Sequence, residues 1–145
     1  MTDDRRSLLI VEDDPGLQKQ LKWSLDDYEV VFASTRPDAI AALRLVDYGV
    51  MSASSIGAGH GELGHTQFLP GNALKYGVDG NGDGAVDLAN SADALASTAN
   101  FLHKKGWKPG RGYQKGEANF AVLKEWNAAG VYQQAIAIMA AQIDG

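Results

Sequence analysis

The clearest chemistry in this chain is carried by Asp79-Gly80-Asn81-Gly82-Asp83-Gly84. Side-chain oxygens recur at every second position, which lets alternate residues turn inward on one hard cation, and Gly84 permits the sharp bend of an EF-hand loop. The backbone carbonyl of Ala85 stands at the seventh position of that pattern. The twelfth position, a bidentate Glu in an ordinary EF-hand, is Asn90, so the pattern lacks its strongest ligand. Asp87 is an extra candidate, acting through a water. Carboxylates packed this closely repel one another unless a cation lies between them. Calcium is the expected ion.

Other reactive residues form weaker patterns. His60 and His65 are five apart, with His103 far away, and zinc wants a tighter pair with further ligands; these histidines read as loop residues. There is no cysteine, hence no thiolate or disulfide chemistry. No Ser-His-Asp arrangement and no Gly-rich phosphate loop is evident. Glu62, Glu117 and Glu125 are the glutamates left for acid–base work in residues 56–145.

The elements that must position these residues fall into two stretches. Residues 8–11 are an all-apolar run, the signature of a strand buried on both faces. Glu12, Asp13 and Asp14 follow. Pro15 opens a helix on which Leu17, Leu21 and Leu25 share one face. Residues 28–33 form a second strand, and 37–43 a second helix with Pro37 in its first turn. The order is β-α-β-α. Residues 52–64 are small and Gly-rich, a linker or a loop that lets a ligand approach backbone. Beyond it the spacing predicts a helix over 92–105 capped by Ser91, a short helix over 120–126, and an apolar helix over 131–143. On that last helix Ile136, Met139, Ala140 and Ile143 share a face. The chain has 145 residues, 45% of them apolar, and a net charge of −5. That charge disfavours nucleic acid and anionic membranes as partners. Nothing is long enough to span a bilayer, and 8–11 is too short for a signal-peptide core, so a cytoplasmic location is expected for the chain as written.

From about residue 56 to Gly145 the chain resembles the C-terminal half of the lytic murein transglycosylases of the membrane-bound B type. The phrases that carry the resemblance are Gly64-His65-Thr66-Gln67-Phe68-Leu69-Pro70 and the acidic loop. Those periplasmic enzymes cut peptidoglycan glycan strands. The resemblance implies that Gln67 hydrogen-bonds substrate, that Phe68 packs beneath its loop, and that Trp126-Asn127 reaches the sugar cleft. For Phe68 and Trp126 a plain core role is the competing reading. The resemblance also implies a longer calcium loop, closed by an Asp fourteen residues after the first; that residue is Asp93. The family's single catalytic Glu protonates the glycosidic oxygen, then acts as base while a sugar hydroxyl closes a 1,6-anhydro ring. It lies on a helix upstream of the Gln-Phe phrase, and here a different segment stands there. Glu62 is the one candidate near that place.

Residues 5–44 resemble the start of a response-regulator receiver domain. That resemblance implies that Glu12 and Asp13 are a relic magnesium pair, since hard oxygens suit that ion. The phospho-acceptor Asp and the later Thr/Ser and Lys of that family are lacking; Asp47 comes too early and reads as a loop residue.

The expected fold is α+β. A mainly helical, lysozyme-like C-terminal part with an EF-hand-like loop follows a β-α-β-α fragment. The expected division is 1–44 receiver-like, 45–55 junction and 56–145 partial transglycosylase. The expected function is a calcium-stabilised glycan-binding part of a transglycosylase, inactive alone for want of its Glu helix, with weak binding of a peptidoglycan strand. Two alternatives stand beside it: a receiver-like signalling or interaction module, and an artificial fusion. Two parallel strands leave both edges open, so self-association through them is a further expectation.

Overall fold

The structure is a computed structural model that describes residues 6–50 and 62–144. Its elements are β1 (Ser7–Val11), α1 (Pro15–Ser24), β2 (Glu29–Ala33), α2 (Arg36–Asp47), α3 (Pro70–Tyr76), α4 (Ser91–Lys104), α5 (Phe120–Trp126) and α6 (Gly130–Asp144). The architecture is mainly helical, with one small sheet of two strands among the described residues. The chain divides into two compact units, residues 1–98 and 99–145.

In the first unit β1 and β2 pair in parallel, Ser7 opposite Glu29 through Val11 opposite Ala33. Parallel neighbours need a crossover, and α1 supplies it. Asp14 caps α1, its Oδ1 accepting from the Leu17 N–H at 2.7 Å, and Pro15 begins the helix where a missing N–H costs nothing. Thr35 caps α2 in the same way, its Oγ1 accepting from the Asp38 N–H. The α2 helix buries Ala39, Ala41, Ala42 and Leu45 and packs on β1, β2 and α3. It runs unbroken through residue 44, the expected edge of the receiver-like fragment.

Three expectations need correction here. The Leu17, Leu21 and Leu25 face of α1 is only partly covered: Leu17 is 41% exposed, Leu21 and Leu25 are half-buried, and Gln18 is the buried residue. The Gln18 amide donates to the Glu12 carbonyl, and this polar tie sets the rotation of the helix. The expected apolar face of α6 is split, with Ile136 and Ala140 half-buried while Met139 is 61% and Ile143 83% exposed. Gln133 and Ala137 beside them are buried, where Gln133 Nε2 donates to the Asn127 carbonyl and Gln114 Nε2 donates to that of Ala137. Finally, α3 was not anticipated. Pro70-Gly71-Asn72 reads as a turn, yet Pro70 serves as the first residue of a helix that α2 covers.

In the second unit the end of α4 packs with α5. Phe101, 1% exposed, meets Trp126 edge to face at 5.3 Å, and Lys105 Nζ pairs with Glu125 at 3.0 Å. The loop from 105 to 119 is stitched to α6 by Gln114 and by the Tyr113 hydroxyl, which donates to Asp144.

Candidate functional site

The loop between Leu63 and Phe68 is closed by two antiparallel backbone bonds, Leu63 N–H to Phe68 O at 2.7 Å and Phe68 N–H to Leu63 O at 2.9 Å. Only four residues turn the chain between them. Gly64 takes a left-handed φ of 67°, and a Cβ there would lie 2.2 Å from the Leu88 carbonyl oxygen, so no other residue fits. Gln67 also sits at φ 57°, the one non-glycine with positive φ among the described residues. Its side chain is exposed and its Nε2 donates to the Gly64 carbonyl at 3.2 Å. Phe68 is 1% exposed, as both of its expected roles require. The Thr66 hydroxyl is buried with no hydrogen-bond partner among the described residues. His65 is exposed in the same loop; His60 lies outside the described residues, as do positions 52–61 of the Gly-rich segment.

The acidic loop, residues 77–90, is built around two carboxylates. Asp79 accepts from three N–H groups: Gly82 at 2.6 Å and Asp83 at 3.2 Å on Oδ1, and Gly84 at 2.8 Å on Oδ2. Asn81 Oδ1 accepts from the Asp83 N–H, and Asp83 Oδ1 from that of Ala85. Asp93 stands in the first turn of α4 with no exposure at all. Its Oδ1 accepts from Gly80 and Asn81, and its Oδ2 from Asp87. The Asp87 N–H holds the Asp93 carboxyl below its ordinary pKa of 3.8; burial opposes this, and the Gly80 and Asn81 N–H groups reinforce it. Ser97, also fully buried, fastens the start of the loop by accepting from the Val78 N–H at 2.9 Å. Asn90 Oδ1 accepts from the Ala92 N–H and so takes the entry position expected of Ser91.

These bonds bring Asp79, Asn81, Asp83, Ala85, Asp87 and Asp93 into one loop. Among the described residues, no group of three or more acidic or histidine side chains has the arrangement of a metal centre. The carboxylates accept from backbone N–H groups instead, and Asn81 Nδ2 donates to Asp83 Oδ2 at 2.9 Å.

The remaining candidates are scattered. Glu62 is half-buried beside Leu63, in an extended loop and on no helix. Glu12 Oε1 accepts from the Asp14 N–H, and Asp13 is exposed. Asp47 is the exposed last residue of α2. In the second unit Trp126 is half-buried against Phe101. Asn127 Oδ1 accepts from the Ala129 N–H at 2.9 Å, a turn-forming bond.

Sequence reasoning passed over Asn119. It is fully buried, with Oδ1 accepting from the Lys108 N–H at 2.8 Å and Nδ2 donating to the carbonyls of Lys108 and Arg111. Its place before α5 signals a helix cap, but it makes no side-chain bond to that helix.

The family described as the transglycosylase SLT domain matches residues 32–116, which take in the Leu63–Phe68 loop and the whole acidic loop. The chain belongs to that family. This transglycosylase domain is 40% identical over 50 residues to membrane-bound lytic murein transglycosylase B of Escherichia coli strain K12, covering 34% of this chain and 14% of that protein. Its fold is similar to SltB3 from Pseudomonas aeruginosa in complex with NAG-NAM-pentapeptide. The TM-score is 0.69 at 24% identity, over 75% of this chain and 46% of the other. It is also similar to the Escherichia coli lytic transglycosylase Slt35 in complex with bulgecin A, with TM-score 0.62 at 18% identity, over 70% and 50% of the two chains. The chain thus spans about half the length of these structures and a smaller share of the curated relative. The family match begins at Phe32, inside the stretch that resembles a receiver. No described helix is long and apolar enough to cross a membrane.

Proposed function

We propose that this transglycosylase domain binds a peptidoglycan glycan strand, with Gln67 as the sugar-contacting residue of the first unit; Asn127, in the second unit, is proposed as a glycan contact in its own right. The observation that carries this reading is the Leu63–Phe68 loop. A left-handed backbone at a glutamine is unfavourable, and such strain concentrates where a side chain is held for a ligand. The unpartnered Thr66 hydroxyl beside it supports the same view, because a buried polar atom is ordinarily satisfied. The lytic transglycosylases to which the chain is similar suggest the substrate class. Such a role belongs outside the inner membrane; the cytoplasmic expectation goes with the alternative reading below.

Calcium is proposed as the cation of the acidic loop, held by Asp79, Asn81, Asp83, the Ala85 carbonyl and Asp93, with Asp87 acting through water. The donor types support it, while their carboxylates here point to backbone N–H groups rather than to one centre. All are hard oxygen donors at the spacing such an ion takes, and Asp93 is a buried carboxylate with backbone partners alone. Calcium supplies charge neutralisation and loop rigidity there and takes no part in bond cleavage.

The proposal includes inactivity of this chain alone. Glu62 stands on no helix, whereas the resembled family carries its general acid on one. Digestion of purified peptidoglycan with mass spectrometry tests both halves. The expected result is retention of glycan strands, weakened by Gln67→Ala, and no anhydro-muropeptide. Anhydro products that vanish in Glu62→Gln would assign that residue as the acid and overturn the inactivity.

A second reading rests on the β1-α1-β2 unit. It is a parallel pair with Glu12 and Asp13 directly after β1, where open α/β sheets place their ligands. In this reading residues 1–44 are a receiver-like module and 45–55 a junction to 56–145. Glu12 and Asp13 are then a magnesium relic, and the open edges of β1 and β2 mediate self-association. An unchanged mass after acetyl phosphate and magnesium counts against a working receiver; an added phosphoryl group lost in Asp47→Asn would favour one.

A further inference from the structure

Between residues 104 and 116 the chain carries Lys104, Lys105, Lys108, Arg111 and Lys115 and no acidic residue, in a protein whose net charge is −5. Lys105 is engaged with Glu125. Lys108 and Arg111 are exposed and have no carboxylate within ion-pair distance among the described residues. They are also held close together. The Arg111 N–H donates to the Lys108 carbonyl at 3.1 Å across Pro109-Gly110, and Gly110 has φ 73°. That is a type II β-turn with its proline and glycine in the favoured places, so the Cα atoms of Lys108 and Arg111 lie within about 7 Å. Two like charges at the ends of one turn repel. The turn is nonetheless fixed from beneath by Asn119, which accepts from the Lys108 N–H and donates to the carbonyls of both residues. Trp107 and Tyr113 stack at 6.2 Å on either side and stiffen the same loop. A fully buried amide thus holds a cationic pair that makes no ion pair, with the Glu117 carboxylate packed against Gly112 next to it and accepting from the Gln114 N–H.

We propose that Lys108 and Arg111 form an anion platform that takes carboxylates of the peptide carried by a peptidoglycan strand. This rests on the glycan-binding reading above and adds the peptide as a recognised part of the ligand. Arg111 offers a planar fork that matches a carboxylate, and Lys108 a mobile point charge beside it. Nucleic acid, the other polyanion such a pair could meet, is disfavoured by the negative charge of the rest of the chain.

The test is calorimetry on the full chain with three probes. These are glycan fragments bearing stem peptide, a chitooligosaccharide of equal length as the bare fragment, which carries neither peptide nor lactyl carboxylate, and a single-stranded oligonucleotide. The wild type should bind the peptide-bearing fragment more tightly than the bare one. Lys108→Gln with Arg111→Gln should weaken the peptide-bearing fragment about tenfold, a loss of the size expected for one charge-assisted contact. It should leave the bare fragment unchanged. Both substitutions are at exposed side chains, and an unchanged melting midpoint confirms the fold. Equal wild-type affinity for the two fragments, or parallel losses on both, overturns the platform while the glycan reading stands. Binding of neither fragment overturns both. Oligonucleotide binding lost in the same variant, without a peptide preference, assigns the pair to nucleic acid and also overturns the proposal.

Discussion

The loop before α4 and the loop after it are each held by one side chain that water does not reach: Asp93 in the first, Asn119 in the second. Each gathers three bonds from residues distant along the chain. Asp93 accepts all of its three from N–H groups, as only an ionised carboxylate would be placed to do. Asn119 accepts one and donates two, and is satisfied as a neutral amide. The acidic loop is therefore tied to pH and to any cation it takes, while the basic loop is tied to neither through its pin. The same fold uses a responsive clamp and an unresponsive one within thirty residues of sequence.

The largest effect that separates them is metal. With calcium at a hundredfold excess over its dissociation constant, the first unit should gain about 2.7 kcal/mol, and chelation should remove it. Asp83→Ala should abolish the gain. Hydrogen exchange read by segment should slow in residues 77–93 on adding calcium and stay constant in 105–119. A thermal midpoint indifferent to calcium, or equal shifts in wild type and Asp83→Ala, would contradict the responsive clamp.

Next is the amide pin itself. Asn119→Ala leaves the Lys108 N–H and two carbonyls without their partner. The loop can recover some of these bonds from water, so a loss of about 2 kcal/mol is expected. Asn119→Asp should do no better, because it keeps the acceptor but turns a carboxylate oxygen toward two carbonyls. A urea titration reads both. If Asn119→Asp matches wild type, the donor half of the clamp is unimportant.

What could be read in advance follows from how local each interaction is. The alternation of Asp79, Asn81 and Asp83 is legible because an EF-hand-like turn is made by neighbours along the chain. The strands β1 and β2 are legible because a short apolar run between turn residues has few other uses. Asn119 is not, since its partners lie eleven and eight residues away and nothing in Glu-Ala-Asn-Phe marks them. The rotation of α6 is missed for a related reason. Periodicity names an apolar face, but only its Ile136 and Ala140 are covered, next to the side fastened by Gln133 and Gln114. The helix α3 needs α2 beside it, a contact between stretches that composition places on either side of a Gly-rich break.

Acid and alkali should pull the two loops apart in opposite windows. With calcium chelated, the lowered Asp93 pKa gives stability that is present above the ordinary value of 3.8 and is lost as pH falls through the lowered one. Tyr113 behaves in the opposite sense. Its bond to Asp144 raises its pKa above 10.0, with burial and the charges of Asp144 and Glu117 adding to the effect. That contribution is complete below 10.0 and is lost as pH rises through the raised value. Exchange in residues 77–93 should quicken below pH 3.8, and exchange in 105–119 should quicken above pH 10 in wild type. The alkaline change should be absent from Tyr113→Phe. Simultaneous opening of both loops at one pH would mean that they are not separate devices.

The smallest effect is at Gln67, where stability and binding should move in opposite directions. A non-glycine at φ 57° costs about 1 kcal/mol, and glycine at such a position costs little. Gln67→Gly removes the strain and also removes the side-chain bond to the Gly64 carbonyl, a long one at 3.2 Å on an exposed group. Extra freedom in the unfolded chain takes back part of the gain. The net should be a stabilisation of a few tenths of a kcal/mol, seen as a small rise in the melting midpoint. Glycan retention should fall in the same variant, because the strained backbone is what presents the amide. Gln67→Ala, which keeps the strain and deletes the amide, should weaken retention without the rise. A glycine variant that gains stability and keeps its glycan would leave the strain real but strip it of the role assigned to it here.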